Sequence, residues 1–255
     1  MPMPKKKVGN VQDGLNAEQQ RELYGAMITA TPTDMPRDIY DSWMANRRGL
    51  NRGVRRLLIP PAGQPQVLPA LQHDSDTLAQ LEGWERHYRD VFRLSVDFSG
   101  IFIPLRRDWT KRLIVVPQGM TCNQAFAKNA ELFPCWRWTD DLDAAVKGRN
   151  DREPNRHYAI WIRGDVEPDE VAMTANQTRA IGLSGTILLE PLLLEGKYFR
   201  ETKDHFNKQK ITRCDGSRNA VAGVPSVHWR GDGFRVDWYD PGDPGNDLGL
   251  RSVVC

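Results

Sequence analysis

An α+β fold is predicted for this 255-residue chain, helix-rich at its start and ending in a unit of twisted antiparallel strands with two helices. Three observations predict it. Apolar residues recur at three- and four-residue spacing in several stretches before residue 150, strand and helix patterns alternate between 157 and 200, and the closing "VPSVHWRGDGFRVDWYDPGDPGNDLGLRSVVC" alternates apolar and polar residues around tryptophans.

The pattern divides the chain into a helical region 1–58, a proline-rich linker 59–75, a small α/β unit 76–150 and a C-terminal unit 151–255. In the first region "NAEQQRELYGAMI" aligns Leu23, Met27 and Ile28, with Asn16 as its cap. "DIYDSWMANRRG" aligns Ile39, Trp43 and Met44 and is stopped by Gly49. Prolines 60, 61, 65 and 69 then restrain the chain to extended forms.

In the second unit "DSDTLAQLEGWERHYRDVF" recurs at helical spacing through Leu78, Leu81, Trp84, Tyr88 and Val91, with Asp76 or Ser75 as cap. "GIFIPLRRDW" and "KRLIVVPQG" carry the branched residues of strands, and "TCNQAFAKNAELF" is a helix capped by Thr121. Trp136 and Trp138 precede a further helix that Thr139 or Asp140 caps, and "KGRNDREPNR" is a second linker. Its Glu153, Pro154 and Asn155 match a sugar-binding tripeptide of some calcium-dependent lectins. They precede a strand instead of lying in a long loop, so the match is a coincidence.

The last unit opens with the strand "HYAIWIRGDVEPDE", which puts Tyr158, Ile160 and Ile162 on one face and Trp161 on the other. Pro168, Asp169 and Glu170 have the chemistry of a helix start, and a buried helix runs from about Ser184, where Pro191 either kinks it or sets its true beginning. The loop "TRCDGSRNAVAGVP" leads to a hairpin turned by Gly231, Asp232 and Gly233. Strand parity puts Val227 and Trp229, then Phe234, Val236 and Trp238, on the core side. Ser226, His228 and Arg230, and Arg235, Asp237 and Tyr239, point the other way. Trp161, Trp229 and Trp238 are therefore frame. His228, Arg230, Asp232, Asp237, Tyr239, Asp240, Asp243, Asn246 and Asp247 form a candidate ligand-binding face, the last four in the Pro- and Gly-spaced loop "YDPGDPGND".

Composition sharpens this division. Lys, Glu, Gln and Met number 39, all before residue 211. At that rate about eight belong in the tail, and strand and turn preferences explain only part of the deficit. Replacing adenines in the asparagine codons AAC and AAT yields Asp, His, Tyr, Gly, Ser and Arg, but never Trp, Lys, Glu, Gln or Met.

The order of strand, two helices, "GSR" loop, Trp-bearing hairpin and closing "LGLRSVV" resembles the C-type-lectin-like fold, in the sulfatase-modifying-factor variety. Gly249, Leu250 and Arg251 stand where that variety ends on a Gly-aromatic-Arg strand, with Leu in place of the aromatic residue. The resemblance covers about residues 155–255. It implies a variable protein of a diversity-generating retroelement of bacteria, archaea or their phages, in which adenine-directed mutagenesis rewrites a C-terminal ligand face. Enzymes of this variety need paired active-site cysteines, and this unit has only Cys214 and Cys255, so catalysis is not carried over. Arg251 is expected to be structural, its planar fork serving several acceptors.

The partner expected is a macromolecule, a protein foremost, with no cofactor, no metal and no catalytic residue. A formal charge of +2 does not favour nucleic acid, and the cluster from Arg47 to Arg56 lacks interleaved aromatic residues, so it is a solvated helix end. A calcium site at Asp237, Asp240, Asp243, Asn246 and Asp247 is an alternative, although the spacing fits no EF-hand. An acid–base site at His157, Asp204 and His205 is another, without a nucleophile motif. Cys122, Cys135, Cys214 and Cys255 lack zinc-ligand spacing and suit a reducing compartment. No apolar run reaches the roughly 18–20 residues of a membrane helix, and "MPMPKKKVGN" lacks a secretory apolar segment; no membrane insertion and a cytoplasmic location follow as expectations.

Overall fold

The computed structural model describes residues 73–98, 101–170 and 173–255, which belong to one unit, His73–Cys255. The helices read near Asn16 and Ile39, the Arg47–Arg56 cluster and the linker prolines lie outside the described residues. Among the described residues no helix is long and apolar enough to cross a membrane.

The fold is α+β. Helix α1, Ser75–His87, is capped by Asp74, whose carboxylate accepts the Thr77 N–H at 2.7 Å; the cap lies just before the two residues the sequence nominated. A π-helical turn, Tyr88–Phe92, continues it. Strand β1, Arg112–Val116, lies beneath α1: the Trp84 indole donates to the Leu113 carbonyl at 2.8 Å and the Tyr88 hydroxyl to the Val115 carbonyl at 2.5 Å. Of the stretch 100–109, expected to form a strand, the described residues 101–109 form none. Pro104 has no N–H to give a ladder, and its carbonyl accepts from the buried Trp161 indole at 3.0 Å.

Helix α2, Cys122–Ala130, begins at Thr121, the cap expected from the sequence, and a reciprocal capping box to Gln124 reinforces it. Strand β2 is Cys135–Arg137, and the short helix α3, Leu142–Val146, takes its cap from Asp141. Strand β3 is Tyr158–Ile162. Where Pro168, Asp169 and Glu170 suggested a helix start, Asp169–Glu170 forms strand β4. It pairs with the later strand β8, Leu248–Leu250, and a Cβ on Gly249 would come within 2.6 Å of the Asp169 carbonyl; pairing from far along the chain overrides local propensity here. The helix itself starts later, as α4, Ala175–Ala180, capped by Thr174.

Helix α5, Leu189–Thr202, is buried nearly all round, and Pro191 sits in its first turn, where a missing N–H costs nothing. Strand β5 is Ile211–Arg213, β6 Val224–Arg230, β7 Gly233–Tyr239 and β9 Val253–Val254. Two sheets result, a three-stranded β1-β3-β9 and a six-stranded β2-β7-β6-β5-β8-β4.

The division of 76–150 from 151–255 is corrected by these pairings. β1 pairs with β3 and β2 with β7, so each sheet draws strands from both segments. The presumed second linker is pinned as well. Arg152 donates to both oxygens of the buried Glu190, at 2.8 and 3.0 Å, and the Pro154 carbonyl accepts the Gly119 N–H at 2.8 Å.

Candidate ligand-binding face

The β6–β7 hairpin closes through two residues, Gly231 and Asp232, with Gly231 at φ +64°, as the first central position of such a turn requires. Its register fixes the two faces. Val227, Phe234 and Val236 are buried in the core. On the other face Trp136, Arg235 and His228 stand opposite one another across β2, β7 and β6, and the next row is Asp237, Ser226 and Arg213 across β7, β6 and β5. An open cleft of about 510 Å³ lies on this face, lined by His228, Arg230, Gly231, Arg235, Asp237, Trp238 and Tyr239.

Depth within the face differs from the expectation of a uniformly exposed surface. His228 is only 4% exposed, and Asp237 and Tyr239 are half-buried, whereas Arg230 is open. His228 occupies the middle of an inner strand with long side chains on either side; Arg230 stands at the strand end. Burial lowers the His228 pKa, and Arg230 and Arg235 add to that, while Asp237 and Asp247 work against it. Its Nε2 is 3.8 Å from the Asp237 carboxylate, and its Nδ1 has no partner among the described residues. Burial, with Asp237, Asp247 and Asp243, raises the Tyr239 phenol.

Asp240, Asp243, Asn246 and Asp247 are exposed in the loop after β7. Asp240 accepts the Gly242 N–H at 2.7 Å and Asp243 the Gly245 N–H at 2.9 Å, so both carboxylates brace their own turns. Among the described residues no three His, Cys, Asp or Glu side chains converge on a metal position. Asp232 sits exposed at the hairpin turn and does not line the cleft.

The frame residues take three different positions. Trp161 is fully buried. Trp229 is half-buried, its ring stacked on His205 at 3.5 Å between centroids. Trp238 is half-buried and lines a second groove of about 410 Å³ with Trp138, Ala220 and Val221. Arg251 is buried beneath the sheet. It donates to the Asp165 and Val166 carbonyls, the Asn207 side-chain oxygen and the Thr212 hydroxyl, all within 2.7–3.0 Å.

Sequence reasoning passed over Trp136 and Trp138 as surface features. They are 44% and 68% exposed, in edge-to-face contact at 6.3 Å, and the Arg235 guanidinium lies 5.8 Å from the Trp136 ring centre. Their alternation with Cys135 and Arg137 is the strand signal that marks them.

The three acid–base candidates do not converge. Asp204 is bonded to Lys208, and His157 accepts the Gln118 N–H at 2.9 Å. The His205 ring is held by buried Glu195 at 2.7 Å and packed between Phe199 and Trp229; burial raises the Glu195 pKa. Among the described residues no serine, threonine or cysteine side chain bonds to His205. All four cysteines are free, with Cys122 and Cys214 buried. Burial pushes the Cys135 thiol up to about 12, away from nucleophilic character. No family model, no curated protein and no solved structure matches this chain.

Proposed function

We propose that this chain is a non-enzymatic binding protein whose β6–β7 face and following loop form a diversifiable recognition surface for a protein ligand, in the manner of the retroelement variable proteins its tail resembles. One observation carries the reading. His228, Arg230, Arg235, Asp237 and Tyr239 gather around an open cleft on one side of a hairpin whose other side is anchored by Val227, Phe234 and Val236. Side chains on such a face can change without removing the core that supports them. Tyr239 and the exposed tryptophans offer amphipathic area at low entropic cost, beside adaptable Asp and Asn groups. The free cysteines suit a reducing compartment, and the cytoplasm is the location proposed.

A displayed library randomised at the exposed Arg230, Asp232, Asn246 and Asp247 tests this. Exposed substitutions change stability by only about ±0.5 kcal/mol, so most variants should resist protease like the parent. Selection against unrelated proteins should then yield binders. Widespread unfolding, or a folded library that yields no binder to any target, contradicts the reading.

A further inference from the structure

Four buried side-chain atoms among the described residues have no hydrogen-bond partner within the protein: Thr186 Oγ1, Ser226 Oγ, His228 Nδ1 and Arg235 Nε. Three of them belong to one face of one hairpin. His228 stands directly opposite Arg235, and Ser226 stands opposite Asp237 in the next row. A buried guanidinium N–H without an acceptor is costly. Neither Arg230 nor Arg235 makes an ion pair with a carboxylate among the described residues; the Arg235 guanidinium lies over the Trp136 ring. Arg235, His228 and Arg230 line the same cleft.

We propose that this cleft seats a carboxylate of the protein ligand, an aspartate or glutamate side chain, on Arg235, with Arg230 at the rim and His228 beside it. The inference rests on the binding-face reading and adds the chemistry of the group bound. Charge decides between oxyanions. Asp237, Asp243 and Asp247 act on Tyr239 from the same neighbourhood, so the two arginines work against a negative surround. One further negative charge in a planar, two-oxygen group matches a guanidinium fork. A phosphate dianion carries twice that charge into the same acidic rim, and a nucleic-acid backbone repeats it along its length.

NMR titration of the whole protein with N-acetyl-glutamate N-methylamide, its glutamine counterpart and inorganic phosphate tests the inference. The glutamate probe should shift the Arg235 side-chain N–H and the His228 ring signals saturably, with the glutamine probe and phosphate each weaker by about tenfold or more. Arg235→Gln should weaken the glutamate probe by a similar factor, and Arg235→Lys should recover only part, because it keeps charge without the fork. Unchanged Trp161 indole and core methyl signals in both variants establish that they are folded. No saturable shift in the cleft, equal binding of the glutamine probe, or phosphate binding as tightly as the carboxylate overturns the inference. Acetate separates the sources of a carboxylate: if it alone binds and the peptide-like probe does not, the site takes a small free acid and the protein side chain is excluded. Library binders that engage the face while all probes fail would remove this inference and leave the binding-face reading standing; probe binding with a barren library would remove the protein ligand and with it both readings.

Discussion

Arg251→Ala is expected to lower stability by about 3 kcal/mol, read as a fall in the denaturant midpoint at unchanged slope. The side chain is 4% exposed and serves four acceptors that tie the β3–β4 connection, the Asn207 loop and β5 together. Its removal leaves the Asp165 and Val166 carbonyls and the Asn207 amide oxygen short of donors. Burial pushes the guanidinium down to about 10, so part of its interaction energy is spent on desolvation. That is why the expected loss is smaller than four charge-assisted bonds would give. Since Arg251 does not line the cleft, binders selected on the face should keep their affinity in this variant wherever it remains folded. A stability within about 0.5 kcal/mol of the parent, together with lost binding, would make Arg251 a contact residue instead.

Arg213→Ala should cost about 3–5 kcal/mol. Arg213 is fully buried and donates to Asp215 through two nitrogens, at 2.6 and 2.9 Å, and to the Met173 carbonyl at 2.9 Å. Without it, the buried Asp215 carboxylate keeps the Thr178 hydroxyl at 2.6 Å but loses its counter-charge. The double variant Arg213→Ala, Asp215→Ala should be more stable than Arg213→Ala alone, since the uncompensated charge has gone. If the second substitution lowers stability further by its full single-variant cost, the pair is not coupled. Arg213 stands opposite Ser226 on β6, so this ion pair supports the strand that carries the binding face.

Those two arginines differ in how legible they were. Arg251 stood out because a lone cation closes an apolar strand, "LGLRSVV". Arg213 lay in a stretch that the sequence marked only as loop. The hairpin and its two-sided parity were readable because a period of two and a Gly-Asp-Gly turn are local signals. How deeply each face residue sits was not: parity gives His228 a side of the sheet, and only its neighbours in space give it 4% exposure. Strand β2 was missed because three residues carry little pattern, and their partner, β7, lies about a hundred residues away along the chain. Strand β4 was misread because Pro, Asp and Glu open helices locally, while its pairing to β8 is decided by Gly249 far downstream. In α2 the Thr121 cap and the apolar stripe agree with the tertiary packing, and the sequence reading held to within a few residues. The grouping of residues that motivates the proposed carboxylate site needed cross-strand register, which brings Arg235 to His228 and Trp136.

Sequencing the 3′ coding end of this gene across a clonal population of cells that carry it tests the central claim, a fixed frame bearing a rewritable face, most directly. The account predicts substitutions at adenines in codons of the face, among them those for His228, Arg230, Asp237, Tyr239, Asp240, Asp243, Asn246 and Asp247, with Trp161, Trp229 and Trp238 constant, and a near-copy of the region beside a reverse transcriptase gene. A 3′ end no more variable than residues 1–210, with neither a template copy nor a reverse transcriptase gene in the genome, would contradict it.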